Sequence, residues 1–184
     1  MKFVLQNRNT LQILDLKGST ELDFESIQFI VNNCTELTEI NVGRNCYGKY
    51  DGELSEESIN YLANNLTEKL VRLNLGNQTF VTDEHVMKLI PRCKKLRELN
   101  LDGTSITLNS LTSIIENLKQ SLVILSLCNT KFNFDELLVR NAMPKLEKLL
   151  TKRRRHSSSS FHPTTPYLLQ RAYPRTPRNS PRHP

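Results

Sequence analysis

Six copies of one apolar motif predict an α/β fold: a solenoid arched like a horseshoe, with a parallel sheet on its concave face and helices on its convex face. The motif L-x-x-L-x-L recurs as Leu11-Leu14-Leu16, Leu37-Ile40-Val42, Leu70-Leu73-Leu75, Leu96-Leu99-Leu101 and Leu122-Leu125-Leu127, and in shortened form as Leu146-Leu149. Its first leucines stand 26, 33, 26, 26 and 24 residues apart, the period of a repeat architecture. A second observation is independent of leucine counting: each full motif is followed by an apolar residue and then by a residue that caps helices. The third is the alternation inside the motif, which sends leucines to one side of a strand and the intervening residues to the other.

In chain order, Leu22-Asp23 opens a helix carrying Ile27 and Ile30, and Leu54-Ser55 opens the next with Ile59 and Leu62. Val81-Thr82 starts a third with Val86 and Leu89, Ile106-Thr107 a fourth with Leu111 and Ile114, and Phe132-Asn133 a fifth with Leu137. Asp, Ser, Thr and Asn accept hydrogen bonds from the free N–H groups of a first helical turn, so each pair reads as a helix start. No strand–turn–helix unit can bury its own apolar face, and stacking five to six of them does so. Residues 3–8 align with Phe29-Ile-Val-Asn-Asn-Cys34, which reads as a repeat helix entered partway along; residues 1–151 are therefore expected to form one repeat domain, truncated at its N-terminus.

Charge separates this domain from the C-terminal segment. The 184 residues carry 25 Lys+Arg against 19 Asp+Glu, a net +6, but residues 1–150 hold 17 cations and all 19 acids, a net −2. Residues 151–184 hold eight cations and no acid, together with six of the eight prolines and the run Ser157 to Ser160. So polar a segment cannot bury enough apolar area to offset its ordering entropy, and 152–184 reads as a disordered basic tail. Basic charge confined to a tail argues against a nucleic-acid-binding domain surface. No run approaches the roughly 18 apolar residues of a membrane helix, which argues against a membrane partner.

Catalytic and metal-binding patterns are missing. There is no G-x-G-x-x-G, P-loop, G-x-S-x-G or H-E-x-x-H, so no enzyme activity and no cofactor are expected. The cysteines at 34, 46, 93 and 128 include no C-x-x-C, and buried reduced thiols in a nuclear or cytoplasmic protein are the better reading. Three of the four histidines lie in the tail, and the fourth, His85, falls on a first helical turn where exposure to solvent is expected. No metal site is expected. Glu56-Glu57 and Asp83-Glu84 also fall in first turns, where carboxylates complement the helix dipole.

Partner binding is the remaining function, and strand alternation nominates its residues. The central outward column reads Asp15, Asn41, Asn74, Asn100, Ser126; the column before it Ile13, Glu39, Arg72, Glu98, Ile124; the column after it Lys17, Gly43, Gly76, Asp102, Cys128. Asp15, Glu39, Asn41, Arg72, Asn74, Glu98, Asn100, Asp102 and Ser126 are the candidate contacts for a protein substrate or adaptor on the concave face. The spacing of 33 adds seven residues around Arg44–Glu53, where Tyr47 and Tyr50 suit a contact loop.

A cysteine three positions before the first leucine, in Cys34-Thr-Glu-Leu37 and Cys93-Lys-Lys-Leu96, resembles the cysteine-containing leucine-rich repeats of F-box proteins, as does the wording of Arg92-Cys-Lys-Lys-Leu-Arg-Glu-Leu-Asn-Leu101. The matching places in the other units hold Arg8, Thr67, Lys119 and Met143, so the signature is partial. The resemblance implies the substrate-recruiting part of a ubiquitin-ligase subunit, linked to the cell cycle, with ubiquitin transfer performed by other subunits. An F-box is an upstream helical module for which there is no room before Leu11, so contact with ligase core subunits requires a longer form that carries one. The rival reading is a free-standing repeat scaffold or inhibitor.

The tail offers regulation. Lys152, Arg153, Arg154 and Arg155 form a basic cluster of the nuclear-localisation type, and Ser157, Thr165, Thr176 and Ser180 are phosphorylation candidates by their basic or proline-directed contexts. In F-box relatives a C-terminal segment folds back along the sheet, which implies tail docking that phosphate charge would loosen.

Overall fold

Each motif places one leucine-type residue at the centre of a three-residue strand, and these central residues set the fold. The computed structural model describes residues 2–44 and 52–151, with the side chains of residues 2, 3 and 5 left aside. The chain divides into two units, Met1–Arg154 and Arg155–Pro184, and everything described belongs to the first. Its order is α1 (Lys2–Asn7), β1 (Ile13–Asp15), α2 (Phe24–Asn33), β2 (Glu39–Asn41), α3 (Glu56–Asn65), β3 (Arg72–Asn74), α4 (Asp83–Leu89), β4 (Glu98–Asn100), α5 (Leu108–Leu118), β5 (Ile124–Ser126), α6 (Glu136–Ala142) and β6 (Lys148–Leu150). The six strands form one parallel sheet in chain order.

Register follows the motif without a slip. Leu14 pairs with Ile40, Ile40 with Leu73, Leu73 with Leu99, Leu99 with Leu125 and Leu125 with Leu149. All six are buried, and they share one core with the helix residues Ile27, Ile30, Ile59, Leu62, Val86, Leu89, Leu111 and Ile114. A one-residue slip would turn every one of these side chains to the other face, so burial fixes the pairing. Fully burying a residue of this size contributes about 1.5–3 kcal/mol, so the ladder of central residues is one continuous support of the fold beside the buried helix residues.

The helices start where the sequence places them, with one exception. Asp23 accepts from the Ser26 N–H at 2.8 Å, Ser55 from the Ser58 N–H at 3.2 Å, and Thr107 from the Asn109 N–H at 3.3 Å. In α6 the cap is Asp135, not Asn133: its Oδ1 accepts from the Leu137 and Leu138 N–H groups at 2.8 and 3.4 Å. The turn after β5 is two residues longer than the turn after β4, and Phe132 and Phe134 fill it with their ring centroids 5.4 Å apart. Val139 therefore takes the buried helix position expected of Leu137, which is 65% exposed.

The turns leaving the strands share a feature that leucine counting passes over. Gly18, Asn77, Gly103 and Asn129 all have positive φ, 71°, 62°, 61° and 59°, and each stands two residues after the last motif leucine. Only Gly and Asn adopt this left-handed geometry readily, so the chain turns off the sheet at the same point in four units. In the second unit that place is held by Arg44, where the inserted residues begin.

Candidate functional site

The outward-facing side chains of the sheet form the candidate site, and its central column is held by the fold itself. Asp15, Asn41, Asn74 and Asn100 each turn one side-chain oxygen back onto the backbone two residues ahead. Asp15 accepts from the Lys17 N–H at 3.0 Å, Asn41 from Gly43 at 3.1 Å, Asn74 from Gly76 at 2.8 Å and Asn100 from Asp102 at 2.9 Å. These side chains occupy the N–H groups that the chain frees as it leaves each strand. Gly43 and Gly76 are glycine because a Cβ there would stand 2.7 Å from the Asn74 Oδ1 and 2.9 Å from the Asn100 Oδ1, respectively.

The fifth unit breaks this pattern and repairs it from next door. Ser126 is too short to reach the Cys128 N–H as asparagine would. Asp102 of the preceding unit does so instead: its Oδ1 accepts from Cys128 N at 2.7 Å and from Ser126 Oγ at 2.6 Å. Ser126 is buried, so it and Asp102 hold each other rather than stand exposed as strand alternation suggested.

The neighbouring column behaves differently. Arg72 lies between two carboxylates on adjacent strands: one amino nitrogen contacts Glu39, and the other stands 3.7 Å from Glu98. The registered pairs Glu39–Arg72 and Arg72–Glu98 produce this triad directly. The side chains of Arg72 and Glu98 are 39% and 41% exposed, and the Arg72 Nε is buried with no hydrogen-bond partner among the described residues. Ile13 at one end of the column is exposed, Ile124 is half-buried, and the exposed Lys148 of β6 follows Ile124 in register.

Beyond the C-terminal ends of the strands, away from this column, the stem of the inserted loop is clamped. The buried Gln78 donates through Nε2 to the Val42 carbonyl at 2.6 Å and accepts at Oε1 from the Leu54 N–H at 3.0 Å, which joins the two ends of the insertion. Arg44 and Glu53 close the base at 3.2 Å, and Glu53 accepts from the Thr79 N–H at 2.8 Å. Gln78 was not among the expected site residues; a lone Gln between Asn77 and Thr79 gives no periodic signal.

His85 corrects the expectation of an exposed side chain. It is 5% exposed, because its position three residues after the cap is the one at which Ser58 and Ser110 are also buried. Its Nδ1 accepts from the Thr82 N–H at 3.1 Å, so the ring completes the cap of α4, while Nε2 is buried with no partner among the described residues. Burial holds its pKa below the ordinary histidine value. Burial also pushes the Cys34 thiol up and the Cys93 thiol up to about 11, so both are protonated, weakly reactive packing groups at neutral pH.

Among the described residues no group of three or more His, Cys, Asp and Glu side chains has a metal-site arrangement, and no helix is long and apolar enough to cross a membrane. Tyr47, Tyr50, Cys46, the cluster Lys152, Arg153, Arg154 and Arg155, and the candidates Ser157, Thr165, Thr176 and Ser180 lie outside the described residues.

No protein-family model matches the chain, and no curated protein sequence does. Solved structures with a related backbone include the tropomodulin C-terminal domain of Caenorhabditis elegans, at 14% identity and a TM-score of 0.42, over 85% of this chain and 81% of that one. Others are actin-binding site 2 of leiomodin-1, at 15% identity and 0.41 over 82% and 75%, and the Chaetomium Mex67:Mtr2 subunits, at 16% and 0.43 over 80% and 85%.

Proposed function

We propose that residues 1–151 form a non-catalytic leucine-rich repeat solenoid whose concave sheet face captures an extended segment of a partner protein. The observation that carries this reading is the column Ile13, Glu39, Arg72, Glu98, Ile124, in which partly exposed charges stand between branched apolar residues on a sheet face where the core helices do not pack. The Arg72–Glu98 pair is exposed on both sides, and such pairs contribute only about 0–1 kcal/mol to a fold, so Glu98 can be redirected to a partner at small cost while Glu39, 16% exposed, holds Arg72 in place. Two carboxylates against one guanidinium favour a segment with a cation at its centre and apolar residues beside it.

The resemblance to F-box repeats extends the proposal to substrate recruitment for a ubiquitin ligase in the nucleus or cytoplasm. Cys34 and Cys93, buried in matching places, support that extension. A photo-crosslinking residue at position 98 tests both levels. Capture of one discrete partner is expected, lost on Arg72→Glu, with the partner's turnover slowed when the protein is depleted. A crosslink that survives Arg72→Glu overturns the sheet-face assignment; a captured partner of unaltered turnover favours the free-standing scaffold over the ligase role.

A further inference from the structure

Where the helices end and the strands begin, the fourth unit carries Arg92, Lys94, Lys95 and Arg97 between Pro91 and Glu98 with no acid among them. All four are exposed. Arg92, Lys94 and Lys95 border an open groove of about 620 Å³ between this loop and that of the third unit, with Thr67, Glu68 and Pro91 also on its walls, and Arg97 follows two residues further along the loop.

Helix capping accounts for one of the four. The Arg92 guanidinium donates to the Asn64 carbonyl and, at 3.1 Å, to the Leu66 carbonyl, which satisfies the end of α3. Lys94, Lys95 and Arg97 make no ion pair among the described residues, in contrast to Lys69 in the adjoining loop, which holds Glu36 at 2.6 Å. Nor does the loop conformation need them. The equivalent turn of the second unit, 33–38, has Glu36 and no cation, yet closes with the same bond, Leu37 N–H to the Cys34 carbonyl at 3.3 Å against Leu96 N–H to the Cys93 carbonyl at 3.0 Å.

We propose that this edge is a second interaction surface, independent of the sheet face, and that its occupant is a short acidic segment of a partner protein. Carboxylates would lie over Lys94 and Lys95, with the exposed Arg97 as a further cation beyond the groove wall, while the segment's backbone follows the groove past Thr67 and Pro91. A protein segment fits better than a nucleic acid for two reasons. No aromatic side chain borders the groove to stack on bases, and Glu68 places an acid in the path of a phosphate backbone.

The test uses the full chain and a short fluorescein-labelled peptide of Glu and Ser, with a single-stranded oligonucleotide of equal net charge as the second arm. Because the tail is itself basic, two triple variants are compared: Lys94→Gln/Lys95→Gln/Arg97→Gln in the loop and Arg153→Gln/Arg154→Gln/Arg155→Gln in the tail. Loss of three close charge contacts should weaken peptide binding about tenfold or more in the first, against less than about threefold in the second, with unchanged melting. If the loop variant melts early, the single changes Lys94→Gln and Lys95→Gln decide, each with about a threefold loss expected. Undetectable peptide binding by the parent chain, equal loss in both triples, no loss in the loop variant, or tighter binding of the oligonucleotide through the same three residues would each overturn the proposal.

Discussion

Two columns run side by side on the open face of the sheet, and they differ in what holds their side chains. Asn41, Asn74 and Asn100 spend their carbonyl oxygens on the backbone of the next turn. Glu39, Arg72 and Glu98, two residues earlier in each strand, spend their charges on one another across partly exposed surface. Strand alternation places both columns on the same side and cannot tell them apart. The difference teaches that lying on an open face does not make a polar group available: a side chain already satisfying a buried N–H is part of the framework, and one in an exposed ion pair can change partners.

The comparison breaks if the asparagine column proves dispensable. Asn74→Ala or Asn100→Ala leaves a strand-exit N–H without its acceptor, and each should lower unfolding free energy by about 1–3 kcal/mol in urea titrations. A loss indistinguishable from that of an exposed surface change would show that water serves as well.

A sharper form uses the fifth unit, where Asp102 does the work of an asparagine. Asp102→Gly alone removes two hydrogen bonds and should cost about 1–2 kcal/mol, whereas adding Ser126→Asn recreates the Asn/Gly arrangement of β2 and β3. The double variant should recover roughly 1 kcal/mol of that loss, a coupling that a double-mutant cycle measures directly. Additive effects would refute the idea that Asp102 replaces the missing asparagine.

His85 tests whether a held polar group also governs pH dependence. Its folded pKa lies below the unfolded value of about 6.5, so its contribution is complete above that pH and is lost as pH falls through the folded value. Melting temperature should decline from pH 7 to 5, and His85→Gln should flatten the decline. Asp23, Asp83 and Glu84 are shifted downward from already acidic values and titrate below this window.

The smallest effect on stability belongs to the charged column. Glu98→Gln, which removes the exposed pair and leaves Arg72 on Glu39, should move unfolding free energy by no more than about 0.5–1 kcal/mol, while capture of a sheet-face partner falls severalfold. A large stability loss from this change, with partner capture intact, would reverse the roles assigned to the two columns.

The sequence by itself determined the units, the strand centres, the register and four of the five expected helix caps, because these depend on local apolar spacing and on side chains that reach their own backbone. Leu14, Ile40, Leu73, Leu99, Leu125 and Leu149 are legible as one ladder from motif spacing alone. Only the tertiary structure decided the burial of His85, the cap at Asp135, the bridge from Gln78 to Val42 and Leu54, and the exchange between Asp102 and Ser126. Each of these joins groups from different units or depends on how far a turn extends before the next helix packs. Intra-unit periodicity carries no record of such contacts, since they arise only when neighbouring units close to strand-pairing distance and leave particular backbone groups to be satisfied.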